Sequence, residues 1–366
     1  MSGYDLAIVG GGLAGCAAAI TIMQSAPATK ILILERGSYP RHKVCGEFVS
    51  PEGVAALGKI LQPAEISLLI NQVPPLSHAN IRVDGRVLSS PIQPAAASIT
   101  RFDLDLALWQ RAGKLGVDCR EKVPVLKTEG NGPFRLQLER TSIQSAALIN
   151  AAGRWSVFTQ RRVNVSNGSF NKWIGLKAHF TEDMAPHAID LYLFDGGYCG
   201  VQPVGQHRVN ACAMVRAEVA TSLGEVCRLH PELDRRSQDW IPVMETVTTS
   251  PLLFRKPLPV EDGMINAGDA AGFIDPFVGD GMTLALHSGM LAGEALIPFM
   301  SKECDLHAAL ESYARQYKSK LLPAFQRARW IRRMIELPRP VRVPLTRLIQ
   351  TTGMTQFMLK ATRVSG

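Results

Sequence analysis

Two glycine-and-carboxylate patterns, more than two hundred and fifty residues apart, carry the chemistry of this chain. The first is Gly10-Gly11-Gly12-Leu13-Ala14-Gly15, and the second runs from Gly268-Asp269 through Asp275-Pro276-Phe277 to Gly279-Asp280-Gly281-Met282. In the first, Gly10, Gly12 and Gly15 have the spacing G-x-G-x-x-G. This spacing gives a tight turn, a close approach of the backbone to a pyrophosphate, and close packing of the following helix on its strand. The helix N-terminus, with Leu13 and Ala14, adds unpaired N–H groups for the phosphates. Glu35 ends a second apolar run, Ile31–Leu34, about 20 residues on, where a ribose-binding acid belongs. An acid there disfavours a 2′-phosphate. On its own this half predicts a dinucleotide and leaves FAD and NAD open.

The second pattern narrows the choice. Gly263–Ala267 reads as a buried strand running into Asp269, which is suited to bind a ribityl hydroxyl. Gly279, Gly281 and Met282 open a long apolar helix reaching about Ile297. Its N–H groups and dipole suit the negative charge that a reduced flavin carries on its pyrimidine edge.

Between the two patterns lies Arg41-His42-Lys43-Val44-Cys45-Gly46-Glu47. Basic neighbours predict a lowered thiol pKa at Cys45, although Cys45 reads equally well as a small residue filling space. His42 reads as a base, a covalent flavin anchor or an exposed turn residue. Glu47 reads as a ring-binding or loop-stabilising group.

With these residues in view, the chain resembles the FAD-dependent monooxygenase superfamily of para-hydroxybenzoate hydroxylase type. Within it, the chain is most similar to the geranylgeranyl reductase-like branch near the flavin-dependent halogenases. Four segments carry the resemblance: Gly10–Gly15 with Glu35, Pro40–Glu47, Arg101-Phe102-Asp103, and Gly268–Met282. A fifth, Ile149–Ser156, is similar to the middle motif of the family, with Ala152 where many hydroxylases carry aspartate. The resemblance implies that Gly12–Gly15 hold the pyrophosphate and Glu35 the adenosine ribose. It places Arg101 at the phosphate or ribityl region, Asp269 at the ribityl chain and Gly279–Met282 at the pyrimidine edge. It also implies that Arg36 stacks near adenine and that Val123, on a strand after Asp118-Cys119-Arg120, brackets adenine through its backbone. Tyr198-Cys199-Gly200-Val201-Gln202-Pro203 matches the reductase motif Tyr-x-Trp-x-Phe-Pro at Tyr198 and Pro203 only. Gly200 and Gln202 replace two rings that line the lipid tunnel and add a polar group, which counts against an isoprenoid lipid substrate; Gln202 is also a candidate catalytic group. The halogenase pattern Trp-x-Trp-x-Ile-Pro is absent, with Lys43 the one candidate for the halogenase lysine.

The expected fold is α/β: a Rossmann-like FAD-binding domain, an inserted antiparallel β-sheet substrate domain and a C-terminal helical segment. The flavin domain takes residues 1–75, 99–165 and 256–315. The substrate domain takes 76–98 and 166–255, with a hairpin around Asp84-Gly85 and turns at Phe194–Gly197 and Pro203–Gly205. The last part, 316–366, is a basic helical segment in which Glu336 is the single acid.

An apolar fraction of 46% over 366 residues suits a large globular core. Seven cysteines without a C-x-x-C pair read as reduced thiols, and no residues group at metal-ligand spacing. With no basic leader or apolar span in view, the expectation is a cytoplasmic enzyme. Much of the net charge of +8 lies in the basic tail, which reads as a helical cap or as a peripheral contact with anionic lipid. Nucleic acid is not expected, since no binding fold accompanies the charge. The expected function is FAD-dependent monooxygenation of a small aromatic or polyketide-like metabolite through a flavin C4a-hydroperoxide. The alternatives are reduction of an alkene or lipid-like substrate, halogenation, or a flavoprotein module at a membrane. NAD(P)H is expected as a transient donor because no second glycine fingerprint is present. The substrate and the oligomeric state are left open.

Overall fold

The structure, a computed structural model, describes residues 3–154, 158, 172–183, 185–335 and 337–344. Trp155, Ser156 and the last part of the basic segment, residues 345–366, lie outside the described residues.

In chain order the strands of the first half are β1 (Gly3–Val9), β2 (Ile31–Leu34), β3 (Phe48–Val49), β4 (Leu76–Val83), β5 (Arg86–Ser98), β6 (Asp118–Arg120), β7 (Lys127–Glu129), β8 (Phe134–Gln137) and β9 (Ser142–Asn150). The second half holds β10 (Trp173–Thr181), β11 (Ala188–Phe194), β12 (Gly197–Gly205), β13 (Arg208–Arg216), β14 (Val247–Thr249), β15 (Val260–Glu261) and β16 (Met264–Asn266). The helices are α1 (Leu13–Ser25), α2 (Pro51–Ile60), α3 (Pro63–Ile70), α4 (Arg101–Lys114), α5 (Leu223–Arg228) and α6 (Pro231–Arg236). The last three are α7 (Gly281–Met300), α8 (Leu306–Lys320) and α9 (Leu322–Ile335).

These strands build two sheets, and the protein is an α/β fold of the expected kind. The first runs β15-β16-β9-β1-β2-β6, with the β7–β8 hairpin joined to β9. Its central pairings, β1 with β2 and β9, β2 with β6, and β9 with β16, are all parallel. The apolar runs of β1 and β2 are buried on both faces: Leu6, Ile8, Ile31 and Ile33 pack against α1, α4 and α7, and Ala7, Val9, Leu32 and Leu34 pack with Val125, Phe134 and Leu136 of the β7–β8 hairpin region. α1 is buried almost all round, between the sheet and α7. Two glycines on α7 allow that approach: a side chain at Gly289 would stand 2.2 Å from the Ala14 carbonyl oxygen, and one at Gly293 would stand 2.9 Å from that of Ala18.

The second sheet runs β14-β10-β13-β12-β11-β4-β5-β3 and is antiparallel except where β4 lies parallel to β11. That one junction joins the early hairpin to the later meander, so the sheet is assembled from two distant stretches of chain. The β4–β5 turn is at Asp84-Gly85, both at positive φ, as the sequence predicts. The turn expected at Pro203–Gly205 is instead part of β12, whose register shifts there. A bulge takes up the proline and glycine, and the chain reverses at residues 206–207. One face of this sheet packs on α5 and α6 through Tyr192, Val201, Val209, Val226 and Leu233. The other faces the first sheet and its helices across a cleft.

Candidate functional site

A cleft of about 710 Å³ runs between the two sheets. Of the sequence-predicted residues, Gly10, Gly12, Leu13, Ala14, Glu35, Arg36, His42, Cys45, Arg101, Val123, Asp269, Gly279, Gly281 and Met282 line it. Gly15 and Gln202 do not.

At one end, α1 begins at Gly12 without a side-chain cap or a first-turn acid. Its orphan N–H groups therefore face the cleft with no side-chain cap among the described residues, a fit for a phosphate. Gly15 explains itself by packing: a Cβ there would lie 2.0 Å from the Gly10 carbonyl oxygen. Gly12 is different, since its Cβ would meet only Lys43 Nζ at 3.7 Å and Asp105 at 3.8 Å. The space beside it is held open toward the cleft.

Asp105, fully buried on α4, accepts from Arg101 at 2.9 Å and from Lys43 at 2.7 Å. Burial works against its ionisation, but the Arg101 and Lys43 charges outweigh that and bring its pKa to about 2. Two cations over one carboxylate leave a net positive charge beside Gly12, which suits a pyrophosphate. Lys43 thus stands at the phosphate end of the cleft, where the sequence reading had it as a candidate for the halogenase lysine.

Glu35 accepts from the Gly11 N–H at 3.0 Å, the Gly37 N–H at 2.9 Å and Arg41 at 2.8 Å. Burial opposes its charge, yet those N–H groups, Arg41 and Lys43 hold it below the usual carboxylate range. Val123 stands in a loop after β6 rather than on a strand. Its N–H donates to the Glu35 carbonyl at 2.9 Å, which leaves only its carbonyl for a ligand.

At the other end, Asp269 follows β16 and lies 3.5 Å from Arg154, whose guanidinium covers the Phe273 ring at 4.2 Å. Burial raises the Asp269 pKa. Asp275 caps the short turn Pro276–Val278 by accepting from the Phe277 N–H at 3.0 Å. Gly279, at φ +73°, then redirects the chain so that α7 starts at the cleft with no side-chain cap at its N-terminus. Ser50 ties Asp280 in place at 2.8 Å. The uncapped start of α7 is a donor set suited to an electron-rich ring edge.

The 41–47 loop crosses between the two ends. Cys45 is not an activated thiol: burial raises its pKa, and the Arg101 and Lys177 charges do not reverse this. Glu47, at φ +61°, has a carboxylate with three donors from two different elements. The Arg101 N–H donates at 2.9 Å, Lys177 at 2.8 Å, and His179 Nε2 lies at 2.7 Å. Asn210 donates to the Cys45 and Gly46 carbonyls at 3.1 and 2.8 Å. Lys177, His179 and Asn210 were missed by the sequence reading. The signal available was Lys177-x-His179, two polar residues sharing one face of a strand with apolar Leu176 and Ala178 on the other.

Across the inner face of the second sheet the side chains form registered rows. His179, Asn210 and Gln202 make the first row, and Lys177, Cys212, Gly200 and Leu191 the second. Gly175, Met214, Tyr198 and Leu193 make the third. The face thus grades from polar beside Glu47 to apolar beside Leu252, Phe273 and Phe277. Gln202 falls in the polar row, fully buried, and its amide donates to Ser98 at 2.6 Å. It is a strut between β12 and β5, outside the cleft, rather than the catalytic group the sequence suggests.

The C-terminal basic residues cover the apolar end. Arg332 on α9 lies over Phe254 at 4.0 Å and Trp173 at 4.9 Å, and 3.4 Å from Asp275. Arg342 reaches Asp84 at 3.0 Å and Asp195 at 3.1 Å, on the tips of two hairpins. Part of the tail charge is therefore spent inside the molecule. Gln326, Arg329, Trp330 and Arg333 form the outward face of α9, with Trp330 66% exposed. No helix among the described residues is long and apolar enough to cross a membrane.

No family model matches the chain. It is 23% identical over 342 residues to digeranylgeranylglycerophospholipid reductase 2 of Methanopyrus kandleri, covering 89% of this chain and 85% of that one. The flavin-dependent brominase Bmp2 superposes with a TM-score of 0.78 at 18% identity, covering 100% of this chain and 95% of that one. A geranylgeranyl bacteriochlorophyll reductase-like protein from Thermoplasma acidophilum superposes with a TM-score of 0.75 at 22% identity, covering 99% and 96%. The chain is thus similar over most of its length to a reductase of this kind, and it shares its fold with geranylgeranyl reductase-like proteins and flavin-dependent halogenases.

Proposed function

We propose that the protein is an FAD-dependent oxidoreductase that reduces carbon–carbon double bonds in an apolar, isoprenoid-like substrate. The observation that carries this reading is the wall of Leu191, Tyr198, Met214, Leu252 and Phe277, which continues directly from the start of α7. The reductase named above, similar over most of its length, supports the same chemistry. Bound in the cleft, FAD supplies two-electron transfer between a donor and the substrate. The chain does the rest. Lys43 and Arg101 with the start of α1 hold phosphates, the start of α7 favours the reduced ring, and the apolar wall excludes water from the reacting bond. Electrons come from NAD(P)H binding transiently. The outward face of α9 supports uptake of substrate from an anionic lipid surface, since Trp and Arg together suit the water–lipid boundary.

The test is anaerobic. Reduced protein is mixed with a polyprenyl lipid, and flavin reoxidation is followed by absorbance while the saturated product is counted. Stoichiometric reoxidation without oxygen is expected. A second reading, oxygen insertion into a compact aromatic or polyketide-like compound, is favoured by Gly200, which stands where a reductase-type ring would fill the cleft. Reoxidation that needs oxygen and yields a hydroxylated product would establish that reading instead.

A further inference from the structure

At the wall of the cleft, away from the phosphate end, lies a further group of charges. Glu47 and Lys177 are fully buried and His179 nearly so. Lys177 Nζ lies 2.8 Å from Glu47 and 3.4 Å from His42 Nδ1. His42 lines the cleft, and its ring packs on Phe102 at 4.9 Å and edge-on to His179 at 5.2 Å. Its other ring nitrogen has no partner among the described residues. One buried group thus joins a fixed carboxylate, an ammonium and a cleft-lining imidazole in continuous contact.

His42, Glu47 and His179 offer ligand atoms within 4.8 Å of one another, which by distance alone would suit a metal ion. The Lys177 ammonium argues against it. It already sits on Glu47 and beside His42, so a metal would have to displace a resident cation.

The geometry points to a proton relay: Lys177 is the buried proton store, Glu47 and His179 fix it, and His42 passes the proton to the substrate. The inference rests on the reductive reading and deepens it. Saturating a carbon–carbon double bond needs a proton on one carbon and two electrons with a hydrogen on the other. The reduced flavin supplies the second set. For the first, the His42 Nε2–H proton goes to carbon, the electron pair of the double bond forms the new C–H bond, and Lys177 Nζ returns a proton to His42 Nδ1. Lys177 is left as the neutral amine; between turnovers water in the cleft protonates His42 Nε2 and the Nδ1 proton returns to Lys177, which restores both groups. An imidazole bonded through Nδ1 to an ammonium keeps its own proton on Nε2, the atom with no protein partner. The groups facing His42 fit this state. Burial, then the Lys177 and His179 charges, lower its pKa, and Glu47 and Asp103 only partly oppose them, so the ring stays neutral as a relay must.

The test uses the holoprotein with His42→Gln and Lys177→Met. His42→Gln, at a half-buried position, is expected to retain flavin and its reduction by dithionite, yet to slow substrate-dependent reoxidation by about 100-fold. It should also remove the solvent isotope effect on that step. In Lys177→Met, removal of the neighbouring charge should move the His42 NMR titration to higher pH, a readout independent of substrate and turnover. An unchanged reoxidation rate in His42→Gln, an unshifted His42 titration in folded Lys177→Met, or a stoichiometric transition metal bound through these residues overturns the relay. Should Lys177→Met not fold, Lys177→Gln, which keeps a polar end but no charge, gives the same titration readout. Coupled titration in a protein that saturates no alkene supports the relay and overturns the reductive reading, so the two failures are separable.

Discussion

Replacing Glu47 by Gln tests whether the buried pair with Lys177 behaves as a unit. The swap keeps the size and removes the charge, leaving the ammonium enclosed with no anion and one amide oxygen at best. Losing one partner of a buried ion pair costs about 3–5 kcal/mol. The lower value applies here, because the substituted amide still accepts from one donor and His179 can change tautomer. Lys177→Met strands the carboxylate instead, again at about 3 kcal/mol, since the Arg101 N–H and His179 continue to hold it. In the double variant no charge is stranded, so its cost should be about 3 kcal/mol in total rather than about 6. The coupling energy is then about 3 kcal/mol. At an unfolding entropy of about 2.1 cal/mol/K per residue, 366 residues turn each single loss into a melting-point drop of about 4 °C. Guanidinium unfolding of the four proteins, all with saturating FAD, measures the cycle. Additive losses with a coupling below about 0.5 kcal/mol would show that the two groups do not depend on one another, and the latch between loop and sheet would be refuted.

Other outcomes follow from single features. Gly12→Ala has room within the protein, at 3.7 Å from Lys43 and φ −77°, so the apoprotein should melt unchanged. The added methyl meets a pyrophosphate instead, and the FAD Kd should rise at least about 10-fold by fluorescence titration; an unchanged Kd would place the phosphates elsewhere. Asp105 has its folded pKa brought down to about 2, so its contribution is complete above the ordinary carboxylate range and is lost as pH falls from about 4 to 2. That loss amounts to roughly 2 kcal/mol, and acid unfolding of Asp105→Asn should lack it. Reversing Arg329 and Arg333 to Glu, with Trp330→Ser, should weaken partition onto vesicles rich in phosphatidylserine by about 10-fold or more, at about 1 kcal/mol per lost basic residue. Sedimentation measures it, and unchanged partition would rule out α9 as the contact.

The cofactor half of the site was legible because its causes are local. Backbone crowding at Gly10–Gly15, a carboxylate ending an apolar strand and an uncapped helix start are each written within thirty residues. Lys43 was visible as a charge, but its partner Asp105 sits 62 residues away, so its place at the phosphate end was not. Glu47 meets Lys177 across 130 residues, a distance only the two-sheet topology closes. Of the two readings of Cys45, the activated thiol fails, because sequence shows its basic neighbours and hides its burial, and burial decides its pKa. Gln202 was judged against a motif of the relatives. The pairing of β12 with β13 puts it in the polar row, below the cleft.

The 41–47 loop has one further consequence. It is gripped from the flavin side through Asp105 and the Arg101 N–H, and from the sheet side through Lys177, His179 and Asn210. Neither sheet holds the loop alone, so the two binding events share one hinge of free energy. Whatever steadies the loop for FAD also steadies the cavity floor, and linkage makes this reciprocal. A well-fitted substrate should then slow the escape of the flavin, and bound flavin should tighten the substrate by the same factor.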